Sequence, residues 1–131
     1  MPAQPESSPL SVEKPKPGLA RWLAAFSNSY NGLLFGLKSE VAIREELLLF
    51  VVSIPLAFLL TDSSAWRLAM IFSVAMVLVV ELLNSALEAT LDLLHESYHP
   101  LAKGAKDMGS LAVLISLLAA VAVWVVAVVY S

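Results

Sequence analysis

The sequence predicts an all-α membrane protein, with an amphipathic surface helix near its N-terminus followed by three transmembrane helices. Three observations predict it. Apolar residues make up 59% of the 131 positions, and the mean hydropathy is +0.80, more apolar side chain than a soluble domain of this length can bury behind so little polar surface. From Glu45 onward the chain is built of three long apolar segments. Ahead of them, residues 19–38 carry apolar side chains at three- and four-residue steps, the spacing of one helical face. The length fits a single domain.

The elements follow in order. Residues 1–18 hold five of the seven prolines, have no apolar core of the secretory-signal kind, and read as a disordered tail. In residues 19–38, Trp22, Leu23, Phe26, Tyr30, Leu33, Leu34 and Leu37 form an apolar stripe opposite Asn28, Asn31 and Lys38, as in a helix lying on a membrane leaflet. Gly32 and Gly36 mark a possible break in it. The first span is expected over 45–60. It is the weakest, because Pro55 interrupts it and Glu45 and Glu46 must sit at an interface or face protein. The second runs over 66–94, longer than a bilayer needs, so its C-terminal end protrudes into water. The third is expected over 107–130, where Leu111 to Tyr130 carries no charge. Trp22, Trp66 and Tyr130 read as interfacial anchors, and Ser116, Ala119, Ala120 and Ala122 as a small-residue face permitting close helix approach.

Seven of the eight basic residues lie in the N-terminal region or in the connection 96–106. The positive-inside rule places both in the cytoplasm and the C-terminus on the far side. A net charge of −3 argues against a nucleic-acid partner. The absence of cysteine excludes disulfides and thiolate metal sites.

The chemistry concentrates in the second span. Glu81, Asn84, Ser85, Glu88 and Asp92 fall at helical steps on one stripe, from inside the apolar layer to the cytosolic water line. An ionisable group at that depth is costly and is kept for function or for a buried pair. Lys103, Lys106 and Asp107 lie at the mouth of the third span, and Glu40 and Arg44 just before the first. Folding brings these to one depth: several acids, a lysine and an asparagine at the membrane–cytosol boundary. Mg²⁺ prefers hard oxygen ligands and is usually held by one or two carboxylates together with nucleotide phosphates, so this grouping suits phosphoryl transfer. A deeper carboxylate can take the proton of a lipid hydroxyl, and Glu81 is the deepest. The same pattern also fits a polar seam between helices. No soluble-kinase signature is present.

The run Val80-Glu81-Leu82-Leu83-Asn84-Ser85-Ala86-Leu87-Glu88-Ala89, the blocks Ser97-Tyr98-His99 and Ala105-Lys106-Asp107-Met108-Gly109-Ser110, and Ser39-Glu40-Val41-Ala42-Ile43-Arg44-Glu45-Glu46 together resemble the prokaryotic diacylglycerol kinases from about Arg21 to Tyr130. The resemblance implies a homotrimer of three-span subunits in the bacterial cytoplasmic (inner) membrane. It implies transfer of phosphate from MgATP to diacylglycerol, giving phosphatidic acid, at sites shared between neighbouring subunits. It implies Glu81 as general base, and Glu40 and Glu88 as Mg²⁺-binding acids that also meet ATP. Lys106 and Asp107 become nucleotide contacts, with Arg21, Asn28, Ser97, Tyr98 and His99 on the nucleotide side. Asn84, Arg44 and Ser110 fall on the lipid side. His99-Pro100-Leu101-Ala102-Lys103 looks more like the related undecaprenol kinases, which keeps a polyprenol substrate as the alternative. A small proton-coupled transporter subunit, with Glu81 and Glu88 as relay, is the alternative of another class, and a structural assembly subunit without turnover is a third.

Overall fold

A computed structural model describes residues 18–94 and 99–130. The Pro-rich tail up to residue 17, and Ser97 and Tyr98 of the nucleotide-side turn, lie outside the described residues. The described elements are four helices: α1 (Leu19–Ser39), α2 (Val41–Leu60), α3 (Ser64–Leu94) and α4 (Pro100–Tyr130). The chain divides into two compact units after Leu33.

The first unit contains the greater part of α1. Its large apolar side chains Trp22, Leu23, Phe26 and Tyr30 are all exposed, as are Asn28 and Asn31. In an isolated soluble protein such an apolar stripe would face water; on a membrane surface it has a partner.

In the second unit α1 continues unbroken to Ser39, through the glycine where a break was expected. Gly36 has a different use. A Cβ there would stand 2.8 Å from Ile43 Cδ1, and Ile43 is 1% exposed; the missing side chain lets α1 and α2 close on one another. The chain turns instead at Glu40, the single non-helical residue between the two helices (φ −117°, ψ 123°). Its N–H donates to the Gly36 carbonyl at 2.9 Å, while its carboxylate makes no capping hydrogen bond.

α2 ends in a tightly bonded turn. The Ser63 N–H donates to Thr61 Oγ1 at 3.1 Å, and the Ser63 hydroxyl accepts from the Trp66 N–H, opening α3. Arg67 reaches back across the turn. Its Nε donates to the Thr61 carbonyl at 2.8 Å, a second nitrogen pairs with Asp62, and its guanidinium lies 4.7 Å from the Phe58 ring centre. Carbonyls left over at the end of a helix need such donors.

α3 is central and packs against both α2 and α4. Ala57, Met70 and Ala127, one from each helix, are fully buried together, with Trp66, Ile71, Val123 and Trp124 around them. Two of the three are alanines, which allow the close approach that drives helix association in lipid. The Trp124 indole N–H donates to the Met70 carbonyl at 3.1 Å. Of the expected small-residue face, Ala120 is buried. The exterior is apolar: Phe58, Leu59, Phe72, Leu118 and Val129 are all exposed, the reverse of a soluble protein. Several hydroxyls within these helices are satisfied internally. Ser53, Ser73 and Ser116 each donate at 2.7 Å to a carbonyl one turn back.

By length and composition α3 and α4 can each cross a membrane, with mean hydropathies of 2.1 and 2.9 in their most apolar stretches. α2 has 20 residues, and any stretch of it long enough to span keeps Arg44, Glu45 and Glu46 at its start. α4 begins at Pro100, well before the apolar stretch that suggested a start near Asp107. The cause is local. Pro100 occupies the first helical position, where its missing N–H costs nothing, and His99 caps the helix, its Nδ1 accepting the Leu101 N–H at 3.2 Å.

Candidate active site

The acidic stripe of α3 runs from buried to exposed. Glu81 is 8% exposed; Asn84, Ser85 and Glu88 are half-buried; Asp92 is exposed. This gradient follows from helical spacing on a helix that leaves the packed layer as it ascends. The Glu81 carboxylate lies within electrostatic reach of Glu88 on its own helix and of Glu40 at the head of α2. A further acid lies nearby: Glu46 of α2, 9% exposed, is within reach of Glu81. Of the adjacent pair, Glu45 is exposed and Glu46 faces protein.

Asn84 ties the stripe to α4. Its Nδ2 donates to Glu88 Oε1 at 3.2 Å, which fixes one oxygen of that carboxylate. Its Oδ1 is buried and has no hydrogen-bond partner, and it lies against Gly109. A Cβ at Gly109 would overlap Asn84 Oδ1 and stand 3.2 Å from its Cγ. The glycine is therefore what allows the amide to pass between α3 and α4.

Two lysine–aspartate pairs line the mouth. Lys106 Nζ donates to Asp92 Oδ1 at 2.5 Å across the α3–α4 pair, and Lys103 Nζ to Asp107 Oδ2 at 2.5 Å along α4. Lys106 is also within electrostatic reach of Glu88. Glu40, Glu81, Glu88 and Lys106 are thus linked, pair by pair, within one chain. Arg44, Asp107 and Ser110 are exposed. Arg21 and Asn28 are exposed in the first unit, and His99 serves as the α4 cap.

Spacing alone pointed to Glu81, Asn84, Ser85, Glu88 and Asp92 as one stripe. Three features of the site emerge only from the fold: the pairing of Asp92 with Lys106, Glu46 as a second buried acid, and Gly109 as the clearance for Asn84. Among the described residues no group of three or more His, Asp or Glu forms a metal cage. Carboxylates in ones and twos are the donor set of a Mg²⁺ ion completed by nucleotide phosphates, and Glu40 and Glu88 fit that description.

The model of the prokaryotic diacylglycerol kinase family matches residues 27–128. The chain is similar to the diacylglycerol kinase of Pseudomonas aeruginosa, with 46% identity over 111 residues, 85% of this chain and 90% of the relative. It is similar to that of Escherichia coli K12, 39% identical over 107 residues, covering 82% of this chain and 88% of the relative. The Haemophilus influenzae enzyme is 38% identical over 107 residues, covering 82% and 91%. With the stripe Glu81-Asn84-Glu88 and the Lys106-Asp107 pair inside the matched region, the chain belongs to the prokaryotic diacylglycerol kinase family.

Proposed function

We propose that this protein phosphorylates diacylglycerol with ATP, giving phosphatidic acid at the cytosolic face of the bacterial inner membrane, as a homotrimer of three-span subunits. The observation that carries the reading is the linkage of Glu40, Glu81, Glu88 and Lys106 at one end of the helix bundle. Family membership supports the substrate, since the relatives are named diacylglycerol kinases. α2, α3 and α4 form the three spans, and α1 lies on the cytosolic leaflet.

In this mechanism Glu81 accepts the proton of the lipid's free hydroxyl as its oxygen bonds to the γ-phosphorus of ATP. The bond from that phosphorus to the β–γ bridging oxygen breaks, and ADP leaves. Its buried position suits Glu81 to this role, because bulk water is kept from the site where the lipid hydroxyl would meet it. Glu40 and Glu88 would hold Mg²⁺ together with the nucleotide, and Asn84 fixes the orientation of Glu88. Mg²⁺ neutralises charge on the phosphates when bound. Lys106 moves from Asp92 to a phosphate oxygen, a transfer between two anions for one ammonium. Asp107, Arg21, Asn28, Ser97, Tyr98 and His99 complete the nucleotide side, with Arg44 and Ser110 toward the lipid.

The test is a lipid panel. Purified protein with MgATP is offered diacylglycerol, undecaprenol and no lipid. Phosphatidic acid formation with the highest kcat/KM for diacylglycerol is expected; a higher value for the polyprenol would reassign the substrate. Ion flux in vesicles without ATP consumption would favour the transporter alternative. Glu81→Gln keeps the shape and removes the charge. It is expected to lower kcat by about a thousandfold, at the scale of losing a positioned base, with ATP binding retained. Full activity in that variant would refute the base assignment.

A further inference from the structure

Of the two lysines at the mouth of the site, only Lys106 ties one helix to another. Its Nζ donates to Asp92 Oδ1 at 2.5 Å, joining α4 to α3 across fourteen positions of the chain. The neighbouring Lys103–Asp107 pair stays within one turn of α4. Glu88, one turn below Asp92 on the same stripe, also lies within electrostatic reach of the Lys106 ammonium. One side chain therefore has two anions to choose between, and it rests on the outer one.

Solvation separates Asp92 from the other acids of the stripe. Glu81 is 8% exposed. Glu88 is half-buried, with one carboxylate oxygen held by Asn84. The Asp92 side chain is 67% exposed, so water takes the place of the ammonium when the pair opens. The Lys106 side chain is 37% exposed, and a lysine carries its three donors on a flexible four-carbon stem. Such a pair opens and closes at little cost. A nucleotide brings several negative charges up to Glu40 and Glu88, and so needs the ammonium as well as Mg²⁺. It gains Lys106 only by taking it from Asp92.

We propose that Asp92 is a positioning residue that competes with nucleotide phosphate for Lys106, weakening the hold on ATP and, after transfer, recovering the ammonium so that ADP leaves. The inference rests on the kinase reading, with Lys106 as a phosphate contact. Loss of the γ-phosphoryl group removes negative charge from the nucleotide, which tips the competition back toward Asp92.

The experiment uses the full chain in detergent micelles with Mg²⁺, ATP and diacylglycerol. Asp92→Asn is expected to lower both KM for ATP and the inhibition constant of ADP by about two- to fivefold, the range that an exposed ion pair contributes. kcat should not rise, because ADP leaves more slowly. Asp92→Glu keeps the charge and should bring both constants back toward the unaltered values. A second measurement isolates the lysine. Equilibrium binding of ATP with Mg²⁺ is compared for Lys106→Met with and without Asp92→Asn, a double-mutant cycle. With no ammonium to compete for, the added substitution should leave the Kd where Lys106→Met put it. The same tightening in both backgrounds would overturn the proposal, since it would trace the effect to the lost negative charge alone. A raised KM for ATP in Asp92→Asn would overturn it too, and would show that Asp92 steadies Lys106 on the nucleotide. So would a lower melting temperature with both constants unchanged, the mark of a plain tie between α3 and α4. If the unaltered chain bound ATP but phosphorylated no lipid, the kinase reading would fall while the binding cycle still decided the competition; a chain that bound no ATP would end both.

Discussion

Two glycines of α4 make opposite predictions. At Gly104 a Cβ would meet open space, so Gly104→Ala should stabilise the helix by about 0.5–1 kcal/mol through lost chain entropy, read as a higher melting temperature in detergent. At Gly109 the same methyl would overlap Asn84 Oδ1. Gly109→Ala is expected to turn the amide away from Glu88 and to cost about 1–3 kcal/mol by overpacking, with a raised Mg²⁺ requirement in the activity assay. An unchanged metal titration would show that Asn84 does not act through Glu88. Glu88→Gln should raise that requirement further, because it removes the ligand charge itself. Glu81 and Glu88 were legible in the sequence because acids at helical steps on an apolar helix are too costly to keep without a site or a buried pair. Glu46 was less so: Arg44, Glu45 and Glu46 are consecutive charges, and which one turns inward is decided by how α2 packs against α3. Gly109 gave no signal, since its clearance exists only once α4 lies against α3.

At the scale of elements, apolar periodicity made the helices readable, and the end of α1, expected at 38, falls at Ser39. Gly36 does not break that helix, because it is needed for contact and not for conformational freedom; the start of α4 was not readable. α4 starts at Pro100 because a capping side chain precedes it, a local event that hydropathy does not register. His99 is proposed for the nucleotide side, and its position as a cap makes a separable prediction. His99→Ala should cost about 1 kcal/mol of stability, whereas His99→Asn, a residue that caps well, should recover it. Thermal melts of the two variants beside KM for ATP divide the roles: a KM raised in both variants marks nucleotide contact, and a stability loss in the alanine variant alone marks the cap.

For the molecule as a whole, the apolar exterior of α2–α4 and the exposed stripe of α1 leave lipid or further copies of the chain as the natural neighbours. The proposed trimer predicts a mass of three copies in detergent. The proposed sharing of sites between subunits predicts that mixing Glu81→Gln with Arg21→Ala, lesions in the two different units of the chain, restores part of the activity that each lacks. Mixed assemblies that stay inactive would confine the site to single chains, which is where the pairwise links among Glu40, Glu81, Glu88 and Lys106 already lie. Membrane character was legible from composition alone; the order of packing, with α3 between its two neighbours, was not, because the apolar content of three helices does not say which takes the middle position.

The bond from Trp124 to the Met70 carbonyl has a practical consequence. An indole held in an apolar setting emits at shorter wavelength than one in water, and Trp22, 63% exposed, supplies the contrast. With Trp22 and Trp66 replaced by phenylalanine, the remaining fluorophore would follow the separation of α3 from α4 without any attached label. A red shift on unfolding would then time the loss of that single contact.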